Sequence, residues 1–305
     1  MNRKDIAAGI YIRLILTMIF WGGTFVAGRI ASHAMHPIAA ATGRFTLASL
    51  ILLSFIYLKE GRFQRLTLPE WGAMLLLGLT GVFAYNLFFF SGLQLVEAGR
   101  ASMIIAANPV LTTILAVILF KERFNYIRCL GILLSISGAL VVISHGNLML
   151  LFQGSIGNGE LCILGSVLSW SAYTLLGRKM LMSTISPLTA VTYSCCTGSI
   201  LLLATLLISG KGHELTTFSP QGSCALVYLA FFGTALGFIW FYEGVQQLGA
   251  GRASLFVNLV PVSGILSGIL ILGEKIDLSL VIGGGLVLVG LLLINRRYHQ
   301  RPLHS

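Results

Sequence analysis

Ala98-Gly99-Arg100-Ala101-Ser102 recurs letter for letter as Ala250-Gly251-Arg252-Ala253-Ser254, 152 positions further along a chain of 305 residues. Working outward from this string, the rest of the chain falls into register with itself. Pro37 pairs with Pro187, Pro69 with Pro220 and Pro109 with Pro261, at spacings of 150, 151 and 152. Trp21 and Trp170 pair likewise, each followed seven residues later by Gly-Arg (Gly28-Arg29 and Gly177-Arg178). Glu122/Glu274, Gly131/Gly283 and Gly138/Gly290 continue the match. Self-similarity of this kind sets the architecture before any local reading does. The chain is two copies of one unit, 1–147 and 148–305.

Lipid is the solvent in which these units fold. Apolar residues make up 56% of the chain and charged residues 10%, with a mean hydropathy of +0.90, outside the range of soluble domains. Apolar runs long enough to cross a hydrocarbon core of about 30 Å predict ten helices, near 9–30, 38–58, 71–91, 98–119, 127–145, 159–178, 187–209, 222–243, 253–272 and 277–295. Asn2-Arg3-Lys4 followed by an apolar run has the form of a signal peptide. Trp21-Gly22-Gly23 stands where small cleavage-site residues belong, however, and the run is too long, so it reads as an uncleaved first helix. The five cysteines all fall within apolar spans and have neither disulfide nor zinc spacing. The histidines form no metal set, and no cofactor is expected.

The net charge of +10 acts here as an orientation signal. Lys59, Arg62, Arg65, Lys121, Arg123, Arg128, Arg178, Arg296 and Arg297 fall on the side of the N-terminus, whereas Arg29, Arg100, Lys211 and Lys275 fall on the other. The positive-inside bias therefore predicts both termini in the cytoplasm. Nucleic-acid binding is a poor reading, because no basic face with interleaved aromatics lies outside the membrane. Five helices per unit is an odd number, so the second unit enters the membrane from the opposite side. Inverted repeats have two near-equivalent arrangements, one open to each side, which is the physical basis of alternating access.

Several motifs in this order resemble one family. They are Trp21-Gly22-Gly23-Thr24-Phe25 in the first helix, Arg44 in the second, Ala98-Gly99-Arg100-Ala101-Ser102 through Asn108-Pro109 in the fourth, Glu122 after it, and Gly131 to Gly138 in the fifth. Trp170-Ser171, Pro261, Gly273-Glu274 and Gly283 to Gly290 follow in the second unit. Together they resemble the drug/metabolite transporter superfamily, and within it the ten-helix EamA-type permeases. The resemblance implies a secondary carrier of small metabolites, often an exporter of amino acids or related compounds, in a bacterial inner membrane.

Certain residues stand out as candidates against a structural alternative. Pro109 and Pro261 lie inside spans, where proline removes a hydrogen bond and bends or opens the helix. Freed carbonyls there would face a polar cavity, or the kink is static. Asn108 and Asn258 accompany them. Arg44 sits a third of the way into its span; an intramembrane arginine either holds an anionic cargo or snorkels to the headgroups. Glu243 follows an aromatic cluster and is a candidate proton carrier if buried, or else a solvated carboxylate. Trp21, Tyr85, Asn86, Trp170, Tyr173, Tyr193 and Trp240 are candidates to line a cavity that grips flat or apolar groups, or to populate headgroup belts. Glu122 and Glu274, each just ahead of the following helix, read as caps on it. The paired glycines Gly131/Gly138 and Gly283/Gly290 allow close packing, in a homodimer contact or within the repeat.

A membrane enzyme would need convergent catalytic groups. The only two aspartates, Asp5 and Asp277, lie at interfaces, and no nucleophile or zinc motif is present. A channel would need a ring of like charges, and a receptor an output surface. The expectation is a carrier for a small metabolite, an amino acid or relative moved outward. Uptake or exchange of a sugar, nucleoside or phosphorylated metabolite is the alternative.

Overall fold

The computed structural model describes residues 3–120, 126–147, 149, 156–180, 185–215 and 219–295. Lys121, Glu122, Arg123, Arg296, Arg297 and position 148, where the second unit begins by sequence, lie outside the described residues. All regular structure among the described residues is helical. The spans are α1 (Arg3–Ala34), α2 (Pro37–Glu60), α3 (Leu68–Leu93), α4 in two halves (α4a, Ala98–Ile105; α4b, Asn108–Phe120) and α5 (Tyr126–Ile143). The second set is α6 (Asn158–Met180), α7 (Pro187–Ile208), α8 (Pro220–Leu248), α9 in two halves (α9a, Ala250–Phe256; α9b, Leu259–Leu272) and α10 (Leu278–Asn295). Nine are long and apolar enough to cross a bilayer, and Leu278–Ile294 is a shorter apolar helix. At 1.5 Å per residue that last stretch is about 26 Å long.

The repeated prolines explain where the helices begin. Pro37, Pro187 and Pro220 each open a helix, directly after a residue whose side chain accepts a backbone N–H: His36 from Ile38, Ser186 from Thr189, and Ser219 from Gly222. Proline suits the first turn because its missing N–H has no helical partner there. Pro69 sits in the first turn of α3, where Thr67 and Glu70 close a capping box through Thr67 N–H and Oγ1 at 2.7 and 2.8 Å. Burial, then the charge of Lys211, holds the His36 imidazole below its usual pKa despite nearby Glu214, in keeping with Nδ1 acting as an acceptor.

Packing obeys the repeat. α1 packs on α8 and α9, and its counterpart α6 packs on α3 and α4. α2 lies against α7, and α5 against α10, so each of these pairs maps onto itself when the repeats exchange. The α5–α10 contact is built on the paired glycines: a Cβ at Gly131 would meet the Gly290 carbonyl, and one at Gly138 the Gly283 carbonyl. These glycines therefore serve a contact between the repeats of one chain, rather than within a repeat or between two copies, because helix backbones meet there with no room for a side chain.

Two features depart from regular α-helix at matching places. Gly78–Ala84 in α3 and Phe231–Leu236 in α8 are π-helical. In the first, Tyr85 N–H reaches Thr80 O; in the second, Gly237 N–H reaches Phe232 O, both five residues back. Gly81 lies against the Tyr173 ring of α6, and Gly233 against Thr24 of α1, so the wide turns let α3 and α8 approach their neighbours at the level of the site. π-turns inside α-helices concentrate at functional sites.

Candidate functional site

The half-helices and the π-turns meet around one central cavity of about 430 Å³. Its walls come from both repeats: Trp21, Thr24 and Phe25 of α1, Arg44 of α2, Tyr85 and Asn86 of α3, Asn108, Pro109 and Thr112 of α4b, Trp170 and Tyr173 of α6, Ser194 and Cys195 of α7, Phe238 of α8, and Asn258 and Pro261 at the α9 break. Trp21 and Trp170 are repeat partners, so the cavity straddles the pseudo-two-fold axis. Trp170 lies 5.2 Å from Tyr85 and 5.1 Å from Tyr173, ring centre to ring centre, and Trp21 lies 5.7 Å from Phe238. This wall suits a flat or apolar group.

Arg44 supplies the cavity's positive charge. Its side chain is 7% exposed. Nε donates to Thr234 Oγ1 and Nη1 to Asn86 Oδ1, each at 3.2 Å. Both acceptors are themselves fixed. Asn86 Nδ2 donates to Val82 O at 2.8 Å, which turns the amide oxygen toward the guanidinium. Thr234 Oγ1 donates to Leu229 O, five residues back along the α8 π-turn, at 2.9 Å. The Arg44 guanidinium lies 5.0 Å from the Phe45 ring centre. Among the described residues no carboxylate pairs with it. A buried cation solvated only by neutral dipoles carries a large desolvation cost, and an anion entering the cavity offsets it.

The two broken helices bring their ends to the same cavity. α4 parts at Ala106–Ala107, and Pro109 falls in the first turn of α4b. α9 parts at Val257–Asn258, and Pro261 falls in the first turn of α9b. Asn108 Oδ1 and Asn258 Nδ2 are buried without a hydrogen-bond partner. Among the described residues no group of three or more His, Cys, Asp and Glu converges as a metal set.

Three residues singled out by sequence lie away from the cavity. Trp240 packs on Phe20 at 6.0 Å and is absent from the lining. Phe238 lines the cavity, and two residues on at about 100° each turns Trp240 to the other face of α8. Glu243 pairs with Arg13 at 2.6 Å, with side chains 32% and 50% exposed, so it is an ion-paired carboxylate near a helix end. Tyr193 stacks on Trp71 at 5.4 Å and its hydroxyl donates to Gln64 O, which removes it from the aromatic wall. Thr234, which bonds Arg44, and Phe238, a wall residue, were by contrast not expected. The repeat spacing carried a signal for the first: Gly81 and Gly233, 152 apart, mark the paired π-turns.

A polar network closes the bundle at the end that carries His36. Ala98 and Gly99 N–H donate to Glu274 Oε1 and Oε2 at 2.7 and 2.9 Å, and Arg29 approaches the same carboxylate at 3.9 Å. Gly273, at φ +68°, makes the turn that directs Glu274 there. Glu274 thus caps α4a of the other repeat, not the helix that follows it in sequence, because the exposed N–H groups of α4a are what the turn faces. Arg100 is buried, donates to Val142 O and pairs with Asp277 at 2.6 Å.

Comparisons with known proteins decide the family. The model of the EamA-like transporter family matches twice, over residues 9–144 and 157–296. The chain belongs to the EamA-like transporter family. "Uncharacterized transporter YyaM" of Bacillus subtilis is 32% identical over 283 residues, covering 93% of this chain and 92% of that one. "Probable terminal-alkyne amino-acid exporter" of Streptantibioticus cattleyicolor is 27% identical, with 93% and 92% covered. "Probable amino-acid metabolite efflux pump" of Escherichia coli is 28% identical, with 95% and 94% covered. A crystal structure with 19% identity shares the fold at a TM-score of 0.66, over 94% of this chain and 97% of that one. This EamA-like chain is a multi-pass inner-membrane transporter, in keeping with the apolar spans above.

Proposed function

We propose that this EamA-like protein exports a small carboxylate-bearing metabolite, an amino acid or a related compound, by alternating access. The observation that carries the reading is Arg44: a buried cation on the wall of the central cavity, held by Asn86 and Thr234 and, among the described residues, without a carboxylate partner. An anionic group on the cargo completes its coordination, while Trp21, Trp170, Tyr85 and Tyr173 grip the remainder. The names of the Streptantibioticus and Escherichia relatives point the same way. The positive-inside bias places the Gly61 end of the bundle in the cytoplasm. The cavity draws on the half of α6 nearer that end and on the His36-side third of α2, and the contacts of Glu274 join the repeats at the His36 end. Repeats held together at that end suit loading from inside.

The test is mass-spectrometric profiling of spent medium from cells overproducing the protein, against cells with a Trp21→Ala/Trp170→Ala variant at equal expression. A carboxylate-bearing metabolite that accumulates outside only with the intact protein is the expected result. Identical media would overturn export.

A further inference from the structure

The break in α4 concentrates hydrogen-bond acceptors that the protein itself does not use. Pro109 has no N–H, so the Ile105 carbonyl four residues earlier loses its helical donor. Val110 and Leu111 both turn their N–H groups to Ala107 O, at 3.0 and 3.2 Å, and among the described residues no backbone N–H donates to Ala106 O. Asn108, 9% exposed, holds Oδ1 buried and unpartnered beside them. All three residues line the central cavity. Buried acceptors without donors are costly.

We propose that this break is the subsite for a primary ammonium group on the cargo, taken by Asn108 Oδ1 with the Ala106 carbonyl. The inference rests on the reading of the cargo as an amino acid and says where its amino group goes. An ammonium brings three donors and no acceptor, which suits acceptors that the protein leaves without donors. The last turn of α4a adds the negative end of its dipole, and half-helix C-termini at broken spans are where carriers hold cations. The Asn108 amide can rotate, but a carbonyl only accepts, so the cation preference survives either orientation. At the α9 break Asn258 presents a buried, unpartnered Nδ2 donor. Acceptors at the α4 break, with donors from Asn258 and Arg44 on the same cavity, suit a zwitterion rather than a simple acid.

The test uses the purified full-length protein and ligand-induced thermal stabilisation. Paired probes differ only in the amino group: L-phenylalanine with 3-phenylpropanoate, and L-leucine with 4-methylpentanoate. For at least one pair the amino acid should act at a concentration about tenfold or more below its deaminated partner, the size of one charge-assisted hydrogen bond. Asn108→Leu should shrink that ratio severalfold, with the loss falling on the amino acid more than on its deaminated partner. If Asn108→Leu fails to fold, Asn108→Asp replaces it and should keep or enlarge the preference for the amine. A native protein that responds equally to both members of a pair overturns the ammonium subsite and leaves the carboxylate reading standing. Stabilisation that depends on sodium without amine preference overturns it as well, assigning the acceptors to a metal cation. No response to any probe overturns the amino-acid reading, and the subsite with it.

Discussion

At Arg44 two opposing requirements meet: the charge is expensive to bury, yet the site needs it. Replacement by Met removes the desolvation cost along with the charge, so the melting temperature of the detergent-purified protein should hold or rise. Affinity for an anionic cargo should fall by roughly tenfold to a hundredfold, the range of a lost charge-assisted contact. A variant that melts lower and binds as before would make Arg44 a structural residue. This side chain was legible in the sequence because a lone charge inside an apolar run is conspicuous. Trp240 was not. Which of Phe238, Trp240 and Phe241 faces inward depends on the phase of α8, and the π-turn at Phe231–Leu236 shifts that phase in a way a 3.6-residue period does not capture.

Among the elements, the π-turn of α8 and the breaks in α4 and α9 shape the site, while α5 and α10 hold the frame. Thr234 is the hydroxyl that the wide turn delivers to Arg44. Thr234→Val keeps its shape and removes one acceptor, so cargo affinity should weaken by about threefold to tenfold, less than the loss at Arg44; an effect equal to that of Arg44 substitution would mean the π-turn itself had collapsed. The frame has its own test. A side chain at Gly138 would collide with the Gly283 backbone, and Gly138→Leu should destabilise by roughly 1–3 kcal/mol or more. Gly285 of the same α10 has open space around its Cβ position, so Gly285→Ala should be neutral or stabilising by about 0.5–1 kcal/mol. Equal melting temperatures for the two would remove the glycine seam from the account. Helix starts were readable, since proline after an acceptor side chain is a local signal. The partner of Glu274 was not, because the α4a N–H groups it caps lie 175 and 176 residues away and no local spacing encodes that.

Over the whole molecule, the alternating access proposed above requires two arrangements of the repeats comparable in energy, between which a small number of polar contacts at one end would select. Glu274 on the Ala98 and Gly99 N–H groups, and Arg100 on Asp277, both join one repeat to the other at the His36 end. Spin labels at positions 95 and 275, in the α3–α4 and α9–α10 turns, report on that closure in a background without native cysteines. Glu274→Gln loses the charge in two hydrogen bonds, so the population with separated labels should grow about tenfold or more. The effect of pH follows from Asp277. Its burial works to raise the carboxyl pKa, but the hydrogen bonds from Ser279 and Leu280 N–H, and the charge and hydrogen bond of Arg100, outweigh it and leave the pKa lowered. A lowered carboxylate pKa means that the closed arrangement keeps this contribution above the ordinary value of about 3.9 and loses it only as pH falls through the lowered one. The label distances should therefore stay constant from pH 8 to about 4, and the separated population should rise only below that. Opening that begins near pH 6 would take Asp277 out of the latch.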